Sequence, residues 1–354
     1  MNEEKMLAPP RESVNLGKPS GKNARRFLCF LICCGILAAA FGISGVWMNR
    51  GPIGTDDESE KENDRTTVET YLSLNTEETQ TSSPLLPSIP DGAIGAVAMD
   101  LASSTELLRN ETVFSVNAEQ LLQRKDLVPL KKDGPAVLIL HTHTAEAYLP
   151  NEKVWLEGNA GDFVFSRERG RSVITVGERL CEVLNQNGIS AIQCKEDHGT
   201  NGSLQGSYRH AAACISAYLK KYPSIRYVID LHRDGILTDE GAPVGATVEW
   251  EETRYAQVMA VVGSEGNGTP CPNRDANLAL ALQLNQRLEQ CIPRLCRPAI
   301  LRNASYNQEL APSSLLLEIG SVGNTQEEAI RTAEIIGKIL ADLIRERAEQ
   351  ARNI

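Results

Sequence analysis

The chain has 354 residues, enough for one large domain or two ordinary ones, and its 42% hydrophobic and 23% charged residues are a globular composition. A net charge of −10 excludes a nucleic-acid binder that works by phosphate attraction, because that needs a basic face. No repeat of fixed period is visible. In chain order, residues 1–26 are a short polar tail. Phe27–Met48 reads FLCFLICCGILAAAFGISGVWM, 22 residues without a charge. At 1.5 Å rise per residue, roughly 20 apolar residues cross a bilayer's hydrocarbon core, and a soluble helix rarely stays uncharged on every face for so long. Lys22, Arg25 and Arg26 precede the run, so the tail is expected in the cytoplasm and everything after Met48 outside. The run exceeds the h-region of a signal peptide, which predicts a single uncleaved transmembrane anchor over 27–48.

Residues 49–92 are acidic and then rich in Ser, Thr and Pro. Such a composition buries too little apolar area to offset ordering entropy, which predicts a disordered linker. Residues 93–133 are expected as an appendage to the main domain, with a short helix in AEQLLQRKDLVPL. The catalytic domain is predicted over 134–349. Ala136–Leu140 is a continuous apolar run, as in a strand covered on both faces. In RSVITVGERLCEVLNQNG, Val173, Val176, Leu180 and Leu184 recur at helical spacing, with Gly188 as a C-cap. ISAIQC is a strand, GSYRHAAACISAYLKKYP a helix ended by Pro223, and IRYVIDLH a strand. GATVEW and AQVMAVVG are two more, with Glu251 and Glu252 as a solvated pair between them. ANLALALQLNQRLEQCIP is a helix and SSLLLEIG a strand. A long helix closes the chain, with Thr325 as N-cap and Glu327 and Glu328 in its first turn. This alternation predicts an α/β class with a mostly parallel sheet flanked by helices.

In such sheets ligands bind at the C-terminal ends of strands. Three predicted strands end in ionisable residues: one in His141 and His143, one in His232, Arg233 and Asp234, and one in Glu318. A lone strand-end histidine is more often a satisfied polar residue than a ligand; three such ends on one sheet edge reverse those odds. His143, Glu146 and the distant His232 form an H-x-x-E…H set suited to Zn2+, whose catalytic sites keep three protein ligands and an open position. Glu318 is the candidate base. Two roles are open to His141, ligand or orienting partner of His143, and Glu168 is a weaker candidate for the carboxylate ligand. Arg233 either pairs with Asp234, fixing the loop, or meets a substrate carboxylate or oxyanion. His198 and His210 lack such context and are expected on the surface or in loops. Of nine cysteines, three lie in the apolar run. No CxxC occurs, so a cysteine zinc site is not expected, while Cys291 and Cys296 are close enough in sequence to pair. No GxSxG offers a serine nucleophile.

The stretches LILHTHTAEAYLP, YVIDLHRDG and YNQELAPSSLLLEIGSVGNTQEEA, in this order, resemble the stage II sporulation protein P family of endospore-forming bacteria over roughly 134–349. The resemblance implies a zinc-dependent N-acetylmuramoyl-L-alanine amidase on a fold related to zinc carboxypeptidases. It implies peptidoglycan as substrate, with endopeptidase cleavage of cross-links besides, in septal wall thinning and engulfment. It implies as partners the transglycosylase stage II sporulation protein D and the membrane protein stage II sporulation protein M. His143 and His232 would be metal ligands and Glu318 the catalytic carboxylate. Tyr306, Asn307 and Gln308 belong to a family motif without an assigned role, and Ala147 stands where the family more often carries serine. Two rivals remain: a zinc carboxypeptidase, in which Arg233 would take the terminal carboxylate, and a wall-binding scaffold without catalysis.

Overall fold

The computed structural model describes residues 94–102, 106–149, 155–156, 165–166, 169–199, 206–239, 241–265 and 268–352. The expected tail, anchor and linker lie outside the described residues, as does Glu168. Among the described residues no helix is long and apolar enough to cross a membrane. The elements are β1 (Ile94–Gly95), β2 (Val97–Met99), β3 (Leu108–Asn110), α1 (Ala118–Leu122), β4 (Val137–Leu140), β5 (Trp155–Leu156), α2 (Val173–Gln186), β6 (Ala191–Gln193), α3 (Ser207–Lys221), β7 (Tyr227–Asp234), β8 (Val244–Trp250), β9 (Thr253–Ala256), β10 (Val258–Gly263), α4 (Arg274–Cys291), β11 (Ala299–Arg302), β12 (Ser313–Ser321) and α5 (Gln326–Arg352).

Seven strands form the main sheet in the order β3-β11-β10-β12-β7-β4-β6. Neighbours run parallel except at β10 and β12, which are antiparallel. The sheet is therefore two parallel blocks of opposite direction. The block β12-β7-β4-β6 holds all three strand ends singled out above, so its C-terminal edge does gather them. The reversal begins at β8 and β9, an antiparallel pair joined by Glu251 and Glu252, exposed and at φ 48° and 60°. Two left-handed residues in succession suit the right-handed twist of a tight hairpin. β2 pairs with β8, and β3 is an edge strand of the main sheet, so Val97–Met99 and Leu108–Asn110 are woven into the domain. β9 (TRYA) and β11 (AILR) are four residues each, too short to show a period along the chain.

Period-two alternation sends each central strand's side chains into two cores. Val137 and Ile139 of β4, with Tyr227, Ile229 and Leu231 of β7, pack under α2, α4 and α5. Leu138 and Leu140, with Val228, pack against Ala211, Cys214 and Ile215 of α3. Each buried Leu or Ile contributes about 1.5–3 kcal/mol. The predicted caps Gly188 and Thr325 are present, and Ser172 adds a cap beyond those predicted. Ser172 accepts from Ile174 N at the start of α2, and beyond its end Gly188 takes φ +78° while Ile189 N donates to Leu184 O. At α5, Thr325 Oγ1 accepts from Glu328 N and Glu328 Oε2 accepts from Thr325 N, a reciprocal capping box.

Candidate metal centre

The site begins with the register of β7 and β12. Glu318 is the direct partner of His232 across the parallel pair, so both side chains stand on one face of the sheet. Asp230, two residues before His232, shares that face. It sits beside Leu140, the last residue of β4, and its carboxylate accepts from Thr142 N at 2.8 Å and from Thr142 Oγ1 at 2.7 Å. This grip turns the chain out of the strand at residues 142–145 and swings His143 back over the sheet edge.

His143 Nδ1 lies 3.0 Å from Glu146 Oε1, and His232 Nδ1 lies 3.3 Å from Glu146 Oε2. The two imidazole rings meet edge to face, with centroids 4.8 Å apart. One donor atom from each of His143, Glu146 and His232 falls within 4.8 Å of the others. Two imidazoles and a carboxylate form an N/N/O set that suits zinc. Further shells hold this set. Arg233 N donates to Glu146 Oε2 at 3.0 Å. Asp230 Oδ1 lies 3.0 Å from His232 Nε2, off the line of a hydrogen bond, so that contact is one of charge. Burial alone would push these carboxyls up and the imidazole of His232 down; the mutual attraction of opposite charges wins. Asp230 is held at about 2, Glu146 well below the usual carboxylate range, and His232 well above the usual histidine range. A carboxylate behind a ligating imidazole is the usual arrangement that fixes its ring and tautomer.

Glu318 differs in kind. Burial, followed by the nearby charge of Asp234, pushes its carboxyl up to about 8. Its Oε2 is enclosed and meets no hydrogen-bond partner among the described residues. Such an oxygen is placed to hold a proton.

Three of the expected ligands, His143, Glu146 and His232, are brought together, with Glu318 beside them. His141 is not. Continuing the alternation of Val137 and Ile139, its ring turns under α2, against Gly177, where a Cβ would lie 2.5 Å from His141 Cε1. Its Nδ1 donates to Leu231 O and its Nε2 accepts from Gln193 Nε2. Both nitrogens are spent, and burial holds the ring down to about 4. The strand spacing expected to align it with His143 ends at Leu140. Arg233 stands on the opposite face of β7 from His232. Its Nε donates to Ala147 O at 2.9 Å and its guanidinium lies over the Phe165 ring. Of the two roles open to it, the ion pair with Asp234 is not made: the Asp234 carboxylate pairs with Arg297 at 2.8 Å, and Arg233 Nη1 donates to the Asp234 carbonyl at 3.3 Å. It is the backbone N–H of Arg233, not its side chain, that reaches Glu146.

Asp230 escaped the sequence reading, although an aspartate two residues before a strand-end histidine shares its face. The Tyr306, Asn307 and Gln308 motif has a physical role. Gln308 accepts from Gly263 N and donates to Val261 O, tying the loop to β10. Asn307 donates to Tyr208 O at the start of α3. Tyr306 and Asn307 both take positive φ. The loop thus brings Tyr306 near Tyr208, whose ring meets His143 edge to face at 5.5 Å. His198, expected on the surface or in a loop, does lie in the loop after β6 but is buried beside Cys194. His210 is half-buried and meets His198 O.

A family model for stage II sporulation protein P matches residues 53–341. Stage II sporulation protein P of Bacillus subtilis (strain 168) is 29% identical over 221 residues, covering 60% of this chain and 51% of that protein. The chain thus matches about half the length of this curated relative. Among solved structures, the CwlD amidase from Clostridioides difficile in complex with the GerS lipoprotein aligns with 62% of this chain and 98% of its own, at 13% identity and a TM-score of 0.36. The catalytic domain of CwlV, an N-acetylmuramoyl-L-alanine amidase from Bacillus (Paenibacillus) polymyxa var. colistinus, aligns with 60% and 99%, at 13% identity and a TM-score of 0.36.

Proposed function

The chain belongs to the stage II sporulation protein P family, and from that premise we propose that it is a zinc-dependent peptidoglycan hydrolase cleaving the amide between N-acetylmuramic acid and L-alanine. The observation that carries this reading is the convergence of His143, Glu146 and His232 on one point with Glu318 in register beside His232. The first three would hold the ion. A zinc ion held there would supply a Lewis acid for the amide carbonyl and would lower the pKa of a water. Glu318 Oε2 takes the water's proton and returns it to the leaving amine of L-alanine. Asp230 holds the His232 ring, and Arg233 N with His143 fixes the Glu146 carboxylate. Tyr208 walls the His143 side of the site. Cleavage of peptide cross-links is a second activity of the same centre.

The remainder of the reading concerns placement. Residues 27–48 anchor the protein, residues 1–26 face the cytoplasm, and residues 49–92 tether the catalytic domain so that it reaches septal wall during sporulation. Stage II sporulation protein D-like and M-like proteins are the partners. The carboxypeptidase alternative loses its support, because Arg233 is buried against Ala147 O and Phe165.

The test uses the full chain, loaded with zinc and incubated with purified peptidoglycan, with fragments identified by mass spectrometry. Stem peptides carrying a free L-alanine amine are expected, with EDTA and Glu318→Gln each abolishing release. Normal cleavage by Glu318→Gln would overturn the mechanism. Binding to sacculi without release, even with the transglycosylase supplied, would favour a scaffold.

A further inference from the structure

A second constellation lies behind the turn that carries His143. β6 runs directly into Cys194, which is fully buried. Three residues later Asp197 accepts from Gly199 N at 2.9 Å and from Thr144 Oγ1 at 2.8 Å, and the bend returns the buried His198 toward Cys194. From α3, Cys214 enters on the same buried stripe as Ala211 and Ile215. The Cys194 and Cys214 sulfurs lie 2.9 Å apart, and His198 Nε2 lies 4.0 Å from Cys194 Sγ. With a carboxylate oxygen of Glu196, these donor atoms all fall within 4.8 Å of one another.

The tautomer of His198 is set by its other nitrogen. Nδ1 lies 2.9 Å from His141 O, and a carbonyl only accepts, so Nδ1 carries the proton. The lone pair of a neutral ring is then on Nε2, which faces the sulfurs. An N–H bonded to a backbone carbonyl is the support that ligating histidines commonly have. The geometry points to a second, structural metal site, in which Cys194, Cys214, His198 and Glu196 bind a zinc-like divalent cation. Zinc–sulfur bonds of about 2.3 Å give a tetrahedral sulfur–sulfur edge of about 3.8 Å and a sulfur–nitrogen edge of about 3.6 Å. The sulfurs would separate somewhat from 2.9 Å and the imidazole would approach, small rotamer adjustments for both. Binding deprotonates the thiols and releases their protons to solvent. A disulfide would instead draw the sulfurs to about 2.05 Å and leave His198 Nε2 and Glu196 without a task.

Four protein ligands leave no open position, so this site would build structure and would not hydrolyse. Its location gives it a purpose. His198 bonds the carbonyl of His141, and Asp197 holds the Thr144 hydroxyl, on either side of His143. Metal binding would therefore clamp the end of β6 and α3 to the turn that presents His143 and Glu146. The spacing Cys-x-x-x-His with a cysteine from the next helix is not a C-x-x-C pattern, so a search for paired cysteines in sequence passes over it.

The test loads the full chain, purified under reductant, with zinc or cobalt(II), and measures bound metal by elemental mass spectrometry and thiolate-to-cobalt charge-transfer absorption. About two zinc ions per chain are expected. Cys194→Ser/Cys214→Ser should lose about one ion and all of the thiolate–cobalt absorption. His143→Ala/His232→Ala should keep about one ion and the full absorption, so this site is read independently of the proposed hydrolytic centre. His198→Ala keeps both thiols and should bind cobalt more weakly with an altered spectrum, which covers the case in which the double serine variant fails to fold. Absence of thiolate–cobalt absorption from the wild-type chain would overturn the proposal. So would equal metal content with and without the two thiols, or a Cys194–Cys214 disulfide in the chain as isolated from cells without reductant.

Discussion

Replacing Glu318 by glutamine should separate catalysis from stability, with a sign that depends on pH. In the metal-free protein the Glu318 carboxyl sits at about 8 instead of 4.5, chiefly because burial disfavours its anion. The unfolded chain releases this proton near 4.5, whereas the folded chain keeps it to about 8. Between those values folding binds a proton, so the contribution of Glu318 to stability falls as pH rises through that window. At about 1.36 kcal/mol per pKa unit the ceiling is about 5 kcal/mol, and the partial solvent exposure of the side chain reduces this to about 2 kcal/mol. Glutamine has nearly the same shape and cannot ionise. Glu318→Gln should therefore match the wild type near about pH 5 and exceed it by about 2 kcal/mol near about pH 9. Denaturant unfolding of the full, metal-stripped chain in detergent across that range measures the difference. A gap between variant and wild type that is the same at both ends would refute the account of why this carboxylate is perturbed.

Three further outcomes are expected. Asp230→Asn removes the charge beside His232 and weakens the grip on Thr142; zinc affinity, measured by chelator competition, should fall about 10–100-fold, and unchanged affinity would argue that Asp230 has no part in ordering the ligands. His141 is neutral and buried at about 4 against its ordinary 6.5, so it costs stability as pH falls through that window; His141→Gln should gain on the wild type by up to about 3 kcal/mol between about pH 7 and about pH 4, and no relative gain would mean that the ring protonates in place. Gly320 sits at φ +71° in the bulge between Glu318 and Ser321, where a Cβ would come within 2.8 Å of Asn324 Oδ1. Gly320→Ala should cost about 1–3 kcal/mol in denaturant unfolding, and a neutral result would mean that the bulge relaxes.

Much of this protein was legible along the chain because it depends on near neighbours. The apolar run of β4, the helical spacing of α2 and the Thr325 cap are local patterns, and local patterns survive in a string of letters. The gathering of His143, His232 and Glu318 was legible for a coarser reason: parallel strands put their C-terminal ends on one edge whatever lies between them. What the sequence could not decide was side-chain direction where the strand stops and the chain turns. His141 and His143 are two residues apart, yet one is buried under α2 and the other faces the site, because Asp230 on a neighbouring strand takes hold of Thr142. Arg233 and Asp234 are adjacent, yet the Asp234 carboxylate pairs with Arg297 while the Arg233 guanidinium goes to the Ala147 and Asp234 carbonyls. The reversal at β10 rests on a two-glutamate hairpin with none of the usual turn residues. Cys194, His198 and Cys214 meet only because α3 packs on the face of the sheet toward which the end of β6 sends Cys194. In each of these cases the deciding contact spans elements distant in sequence, and only tertiary packing brings them within reach.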